Sequence, residues 1–537
     1  MEKNSRRNFL ALTAAGLAGS AAGLARPDAA IAMPREVADK HPALALSGTY
    51  DVRTFGAKGD GKSIDTPAVN KAIEAAAAAG GGIVRFPAGS FACFSIHLKS
   101  NVALYLDPGA VIVAAESGSA GQYDAAEPNQ WDKFQDYGHS HWHNSLIWGE
   151  GVENVSILGP GKIWGKGLSR GSGRETPKAE DPGVGNKAIA LKNCRNVTLR
   201  DFSIFHGGHF GILAIAVDNF TIDNLTIDTN RDGIDIDCCR NVRVSNCNVN
   251  SPFDDGICLK SCFGLGYARA TENVTITNCL VSGFREGSLL DATYDRTPPR
   301  ENFKPTGRIK FGTESNGGFK NITVSNCVFE FCRGLALETV DGGLLEDVTI
   351  SNITMREIVN APIFMRLGSR MRGPEGVPVG AMRRVMISNV VCSSAGTGIS
   401  SIISGIPGHE IEDVRLSDIY IRHLGGGSKE DAGVEPPEKE NTYPEPTMFG
   451  PAMPSYGFFI RHARNLQLNN IEIAYDKDDL RPAFVVQDVK GIDVFRVKAQ
   501  RVSDAATFAL KRVTDFSLSQ SRPLADTLLE SVAEKKL

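Results

Sequence analysis

The chain carries almost no net charge: 58 Lys and Arg against 62 Asp and Glu leave −4 over 537 residues. Nothing in that balance favours nucleic acid or an anionic membrane as a partner. After the first 35 residues no run is apolar for long enough to cross a bilayer. The eleven cysteines include no Cys-x-x-Cys pair and no Cys/His cluster at zinc spacing, so no metal or other cofactor is expected. Their odd number leaves at least one thiol unpaired. The string Gly59-Asp60-Gly61-Lys62 lacks the spacing of a phosphate-binding loop and reads as a turn. What the chain does have is glycine, 56 residues of it, and a repeat.

The repeat runs Asn/Asp, apolar, any, apolar, any, Asn/Asp. Copies start at Asn154, Asn196, Asn219, Asn241, Asn273, Asn321, Asp347 and Asp413, with weaker ones at Arg384 and Asn465. From Asn196 to Asp347 the starts are 23, 22, 32, 48 and 26 residues apart, a floor near 22 with additions, which marks solenoid rungs carrying loop insertions. Each copy alternates apolar and polar residues with period two, as a strand with one buried face does. One rung cannot bury that face alone, so the expected fold is all-β: a single right-handed parallel β-helix. Cys247, Cys279 and Cys327 fall at one position of successive repeats and read as small core residues rather than bridges.

The organisation follows. Residues 1–32 read as a signal peptide of twin-arginine type, from Ser5-Arg6-Arg7-Asn8-Phe9-Leu10, a mild apolar stretch to Leu24 and a small-x-small site at Ala30-Ile31-Ala32. A periplasmic or secreted protein, free of the membrane once the signal is removed, is the expectation. Residues 48–115 form an N-terminal cap and first rungs, with one helix that Thr66 caps, Pro67 starts and Gly80-Gly81-Gly82 ends. Residues 116–500 are the β-helix proper, and 501–537 a tail ending in a short charged helix. Two insertions, Ser282 to Thr313 and Gly425 to Ser455, are long enough to shape a site.

The chemistry concentrates at Asn230-Arg231-Asp232-Gly233 and Phe253-Asp254-Asp255-Gly256. Asp232 and Asp254 are 22 residues apart, one repeat, so three carboxylates meet on neighbouring rungs about 4.8 Å apart. Asp-Gly is also a common bend, but Asp235, Asp237 and Lys260 add outward charges that a solenoid does not need. Such a cluster in a groove points to acid/base chemistry on a sugar chain.

The string NRDGIDIDCCRNVRVSNC…SPFDDGICLKS resembles glycoside hydrolase family 28, the polygalacturonase and rhamnogalacturonan hydrolase group, and the likeness extends over about Tyr50 to Val497. The resemblance implies Asp254 as general acid and Asp232 and Asp255 as holders of the attacking water, with inversion. Inversion calls for acid and base roughly 6.5–9.5 Å apart, and neighbouring carboxylates are expected to raise the acid's pKa. Substrate-binding candidates are His209, Asn230, Asp235, Asp237, Lys260, Arg308, Lys310, Glu338 and Arg366, with Arg370 and Arg461 behind them. The family's Gly-His-Gly is Pro305-Thr306-Gly307 here, and its Arg-x-Lys clamp falls on Ala336 and Glu338. A literal Arg308-Ile309-Lys310 lies one rung too early, yet both cations share a face and can bind a carboxylate.

These departures point away from ordinary homogalacturonan and toward release of galacturonosyl residues from rhamnogalacturonan-type chains. The partner is a pectic polysaccharide or oligosaccharide, and the protein a monomer. A polygalacturonase with a rearranged clamp, a β-helix lyase and a non-catalytic glycan-binding solenoid stay as alternatives.

Overall fold

Asparagine decides where the chain turns. Asn154, Asn196, Asn219, Asn241, Asn273 and Asn321 all adopt φ between 54° and 57°, the left-handed region that Asn tolerates better than other side chains. Each donates its amide to the carbonyl of the Asn one rung earlier, at 2.8–3.2 Å, so the ladder satisfies its own polar groups along the surface. The positions that begin each repeat are the bends of each rung.

The computed structural model describes residues 48–135, 139–170, 181–396 and 398–537. The signal peptide expected in residues 1–32 lies outside the described residues. The rest is a parallel β-helix whose strands pair in register from rung to rung. One inward ladder runs Val197, Phe220, Val242, Val274, Ile322, Val348, Val385, Val414, Leu466, Ile492 and Phe516, with each residue opposite the next. All are essentially inaccessible, and burial of each such side chain stabilises by about 1.5–3 kcal/mol. The eleven cysteines are free and buried, and Cys279 and Cys327 stand in the core.

The cap is a helix over Thr66–Ala78 that buries Val69, Ala72, Ile73 and Ala76 against the first rungs. Asp65, not Thr66, is its N-cap; the Asp65 carboxylate accepts from the Lys58 and Gly59 amides, while Thr66 Oγ1 accepts from the Phe94 amide at 2.7 Å. The far end also differs from expectation. Phe508–Ser519 adds another parallel strand, and Thr527–Lys536 folds back antiparallel on it instead of forming a charged helix. Leu529 and Val532 of that last strand pack on the core, so its alternation served a sheet edge.

Candidate active site

Three carboxylates meet at the start of two neighbouring strands, Asp232–Asp237 and Ile257–Ser261. Ile234 faces Ile257 across the rungs, and the Gly233 amide donates to the Asp255 carbonyl at 3.0 Å, so Asp255 is the rung partner of Asp232. Asp254 sits one residue earlier on the bend. A Cβ at Gly233 would meet the Gly256 carbonyl at 2.5 Å, which explains the glycine after Asp232.

Asp232, Asp254 and Asp255 each offer an oxygen within 4.8 Å of the other two. That is tighter than the roughly 6.5–9.5 Å span expected for an inverting pair. Oxygens this close can share one hydrogen-bonded water. Burial works against a charge on Asp255, yet Lys310 and Arg308 hold it well below the usual carboxylate range. Arg308 Nε donates to Asp255 Oδ1 at 2.8 Å, and Lys310 Nζ lies 3.3 Å from Oδ2. Asp232 moves the other way: burial first, then the charges of Asp254 and Asp235, push it well above the usual range. The two neighbours are thus pushed in opposite directions, Asp232 toward its neutral form and Asp255 toward its charged one. Asp254 is the accessible member, its side chain 28% exposed and paired with Arg231 at 2.8 Å.

Several expected substrate contacts are built into the wall instead. Arg308 and Lys310 share a face as expected, but they are 1% and 2% exposed. Asp255, Glu338 and Glu445 surround Arg308, while Asp255, Glu338 and Tyr443 surround Lys310. Neither is left to clamp a substrate carboxylate. Glu338 is fully buried, and its burial outweighs the two cations to bring it up to about 7. Asp237 accepts from the Cys262 amide at 2.8 Å. Asp235 lies 3.0 Å from His139, and Lys260 bonds Glu314 at 3.3 Å. His209 is buried beside Phe210, with ring centres 4.4 Å apart, and burial drives its pKa down, so it stands neutral 4.0 Å from Asp232. Arg366 donates to Ser404, Gly405, Glu438 and Lys439 and ties down an insertion. Arg461 does the same through Pro436 and Pro437, and Arg370 pairs with Asp341.

The cause is a pair of covers that sequence periodicity does not reveal. On the earlier rungs Trp142 packs on Ala190, Phe210 and Leu213. On the later rungs the outward ladder Ala336, Phe364, Ile402, Phe459 and Val485 is apolar, and Phe449 and Met453 of the second insertion lie over it. The strands LALET, IFMRL and SIIS are buried on both faces, and their lack of alternation was the available signal. Lys429–Ala432 is a short helix with a capping box from Ser428 and Asp431, so the insertion is built, not a loose excursion.

Access remains on the side of the bends. Asn230, Arg231, Phe253, Thr306 and Arg333 line two adjoining clefts there, walled by the first insertion. Sequence reasoning missed Arg231, Phe253, Arg333, Tyr443 and Glu445 as site residues. Arg231 and Phe253 were visible beside the acids in the two motifs; Glu445 reaches Arg308 and Arg333, at 2.8 and 2.7 Å, from over a hundred residues away.

The family model for glycosyl hydrolases family 28 matches residues 129–284, which contain all three acids and the bends that present them. A probable polygalacturonase of Vitis vinifera is 23% identical over 407 residues, spanning 70% of this chain and 74% of its own. These matches support placing the segment that carries the acids in glycosyl hydrolases family 28. A second family model, rhamnogalacturonase A/epimerase, pectate lyase-like, matches residues 49–158. The fold agrees with that of the Yersinia enterocolitica family 28 exopolygalacturonase, at TM-score 0.61 and 18% identity over 84% of this chain and 79% of the other. An exopolygalacturonase from Thermotoga maritima gives 0.57 and 18% over 80% and 92%.

The matches support a polygalacturonase-like glycosyl hydrolase acting on pectic substrates. At the family's clamp positions Ala336 lies in the apolar cluster under the second insertion and Glu338 is fully buried. Thr306, at the histidine position, lines a cleft and donates its amide to the Pro252 carbonyl at 2.9 Å.

Proposed function

We propose that this family 28 hydrolase removes galacturonosyl residues from an end of rhamnogalacturonan-type chains or oligosaccharides, with inversion. The observation that carries the chemistry is the cluster of three carboxylates with oxygens within 4.8 Å of one another, in which Asp255 is shifted down and Asp232 up. Asp254, the most exposed acid of the three, protonates the glycosidic oxygen. Asp255, held ionised by two cations, accepts the proton of the attacking water, and Asp232 orients that water. Both Asp255 oxygens are engaged by Arg308 and Lys310, and Asp232 is almost wholly buried. Neither carboxylate is placed to attack the sugar as a nucleophile, which favours a water between them despite the short spacing.

End-on action is supported by the two covers, which bury the outward sheet face on both sides of the acids. The rhamnogalacturonan preference is supported by the buried state of Arg308, Lys310 and Glu338, which removes the uronate clamp expected on that face. Digestion of a panel of pectic oligosaccharides tests this. Release of single galacturonate from rhamnogalacturonan fragments, much faster than from homogalacturonan fragments of equal length, is expected. Faster cleavage of homogalacturonan, or internal cuts giving mixed lengths from the outset, would sink the substrate and end-on assignments respectively.

A further inference from the structure

The two clefts beside Asp254 differ in chemistry and share a wall. Phe253 and Phe303 belong to both, their ring centres 4.7 Å apart, and Phe253 is 40% exposed although it adjoins Asp254. An exposed aromatic next to a catalytic acid is a platform for the apolar face of a sugar ring.

On one side of this wall lies a cleft of about 710 Å³, lined by Arg231, Arg300, Lys304 and Arg333, with Glu301 the carboxylate among its lining residues. Arg231 is committed to Asp254 and Arg333 to Glu445. Arg300 lies over the Phe303 ring at 5.5 Å, and among the described residues neither Arg300 nor Lys304 has an ion pair. On the other side lies a cleft of about 470 Å³, with Pro252, Pro298, Pro299 and Phe331 in its walls. Its charges are answered locally: Glu286 pairs with Arg170 at 2.6 Å, and Arg285 lies 3.4 Å from Asp295. Both volumes fall in the usual range for small-ligand sites, roughly 300–1,000 Å³.

We propose that the first insertion builds a two-chambered subsite for an acidic sugar joined to a neutral one. The chamber of Arg300 and Lys304 takes the uronate carboxylate, and the proline- and phenylalanine-lined chamber takes a carboxylate-free pyranose with an apolar edge, such as a 6-deoxysugar. The wall of Phe253 and Phe303 stacks on the pair where they meet. This rests on the proposed pectic hydrolysis and sharpens it: recognition of the alternating unit lies in the insertion, at the bends, and not on the sheet face where the family's clamp would stand.

The test compares the full-length protein with the Arg300→Gln/Lys304→Gln double variant and with Phe303→Ala. Each is assayed on a rhamnogalacturonan oligosaccharide with free carboxylates and on the same oligosaccharide methyl-esterified. Arg300 and Lys304 are exposed at the rim, so the double variant is expected to fold. It should lose about five- to tenfold in kcat/KM on the free acid, through KM, so that preference for acid over ester falls by a similar factor. Phe303→Ala should weaken both substrates together. An unchanged acid-to-ester ratio in the double variant, with the wild-type enzyme active, would overturn the subsite and leave the hydrolase reading standing. No cleavage of any uronate-bearing substrate by the wild type would overturn both.

Discussion

Asp254→Asn is expected to lower kcat on pectic oligosaccharides by about 10²–10⁴-fold while leaving the fold intact. The size follows from the position of this carboxylate. It is the accessible member of the cluster, set on the bend between rungs and adjoining Phe253, which lines both clefts. Asparagine keeps the oxygen that accepts from the Asp255 amide at 3.0 Å but cannot deliver a proton. The structural cost is one partly exposed pair with Arg231, worth about 1 kcal/mol at most. Steady-state kinetics beside a thermal melt separate the two effects. An aryl glycoside whose leaving group needs no protonation should lose far less. Equal losses on both substrates, or activity within tenfold of wild type, would remove Asp254 from the acid role.

Arg308→Met should be the most damaging change to the framework of the site. Arg308 is buried and stands among Asp255, Glu338 and Glu445. Removing one member of such a group leaves uncompensated charge in the interior and costs about 3–5 kcal/mol. The pH dependence has a definite sign. Asp255 has a folded pKa below its ordinary value of 3.8, so its contribution to stability is present above about pH 4 and is lost as pH falls. The difference in stability between wild type and Arg308→Met should therefore be largest near neutral pH and shrink in acid. Turnover should fall as well, because Asp255 loses one of the cations that keep it ionised. Chemical denaturation at neutral and acid pH, paired with kcat, checks both parts. A variant as stable as wild type, or a difference that widens in acid, would contradict the role given to Arg308.

The rungs were legible because one residue type did two jobs. Asn at the start of each repeat supplies the left-handed bend and the ladder between bends, so its spacing marks the coil directly. The alternation after it marks the buried face. The clustering of Asp232, Asp254 and Asp255 followed from that spacing alone, since neighbouring rungs bring equivalent positions together. What the periodicity could not show was cover. Trp142, Tyr443, Glu445 and Phe449 come from segments outside the repeat, and they turn an outward face that reads as open into an interior. Asp235, Asp237, Lys260, Arg308, Lys310 and Arg366 were read as groove residues on the assumption of an open face. The same charges, once covered, pair with one another and set the state of the acids.

The C-terminal segment teaches a related lesson. Thr527–Lys536 alternates exposed and partly buried residues, and its many charges suit the exposed edge of a last antiparallel strand. Charge density by itself did not distinguish that strand from a helix.

The most direct test is the configuration of the first product. The oxygens of the three acids lie within 4.8 Å of one another, closer to the roughly 5–5.5 Å of retaining enzymes than to the wider inverting span, so the outcome discriminates sharply. Time-resolved proton NMR of wild-type enzyme acting on a rhamnogalacturonan oligosaccharide, read before mutarotation, should show galacturonate released with inverted anomeric configuration and no unsaturated sugar. A product of retained configuration would make one of the carboxylates a nucleophile, and an unsaturated product would replace hydrolysis by elimination.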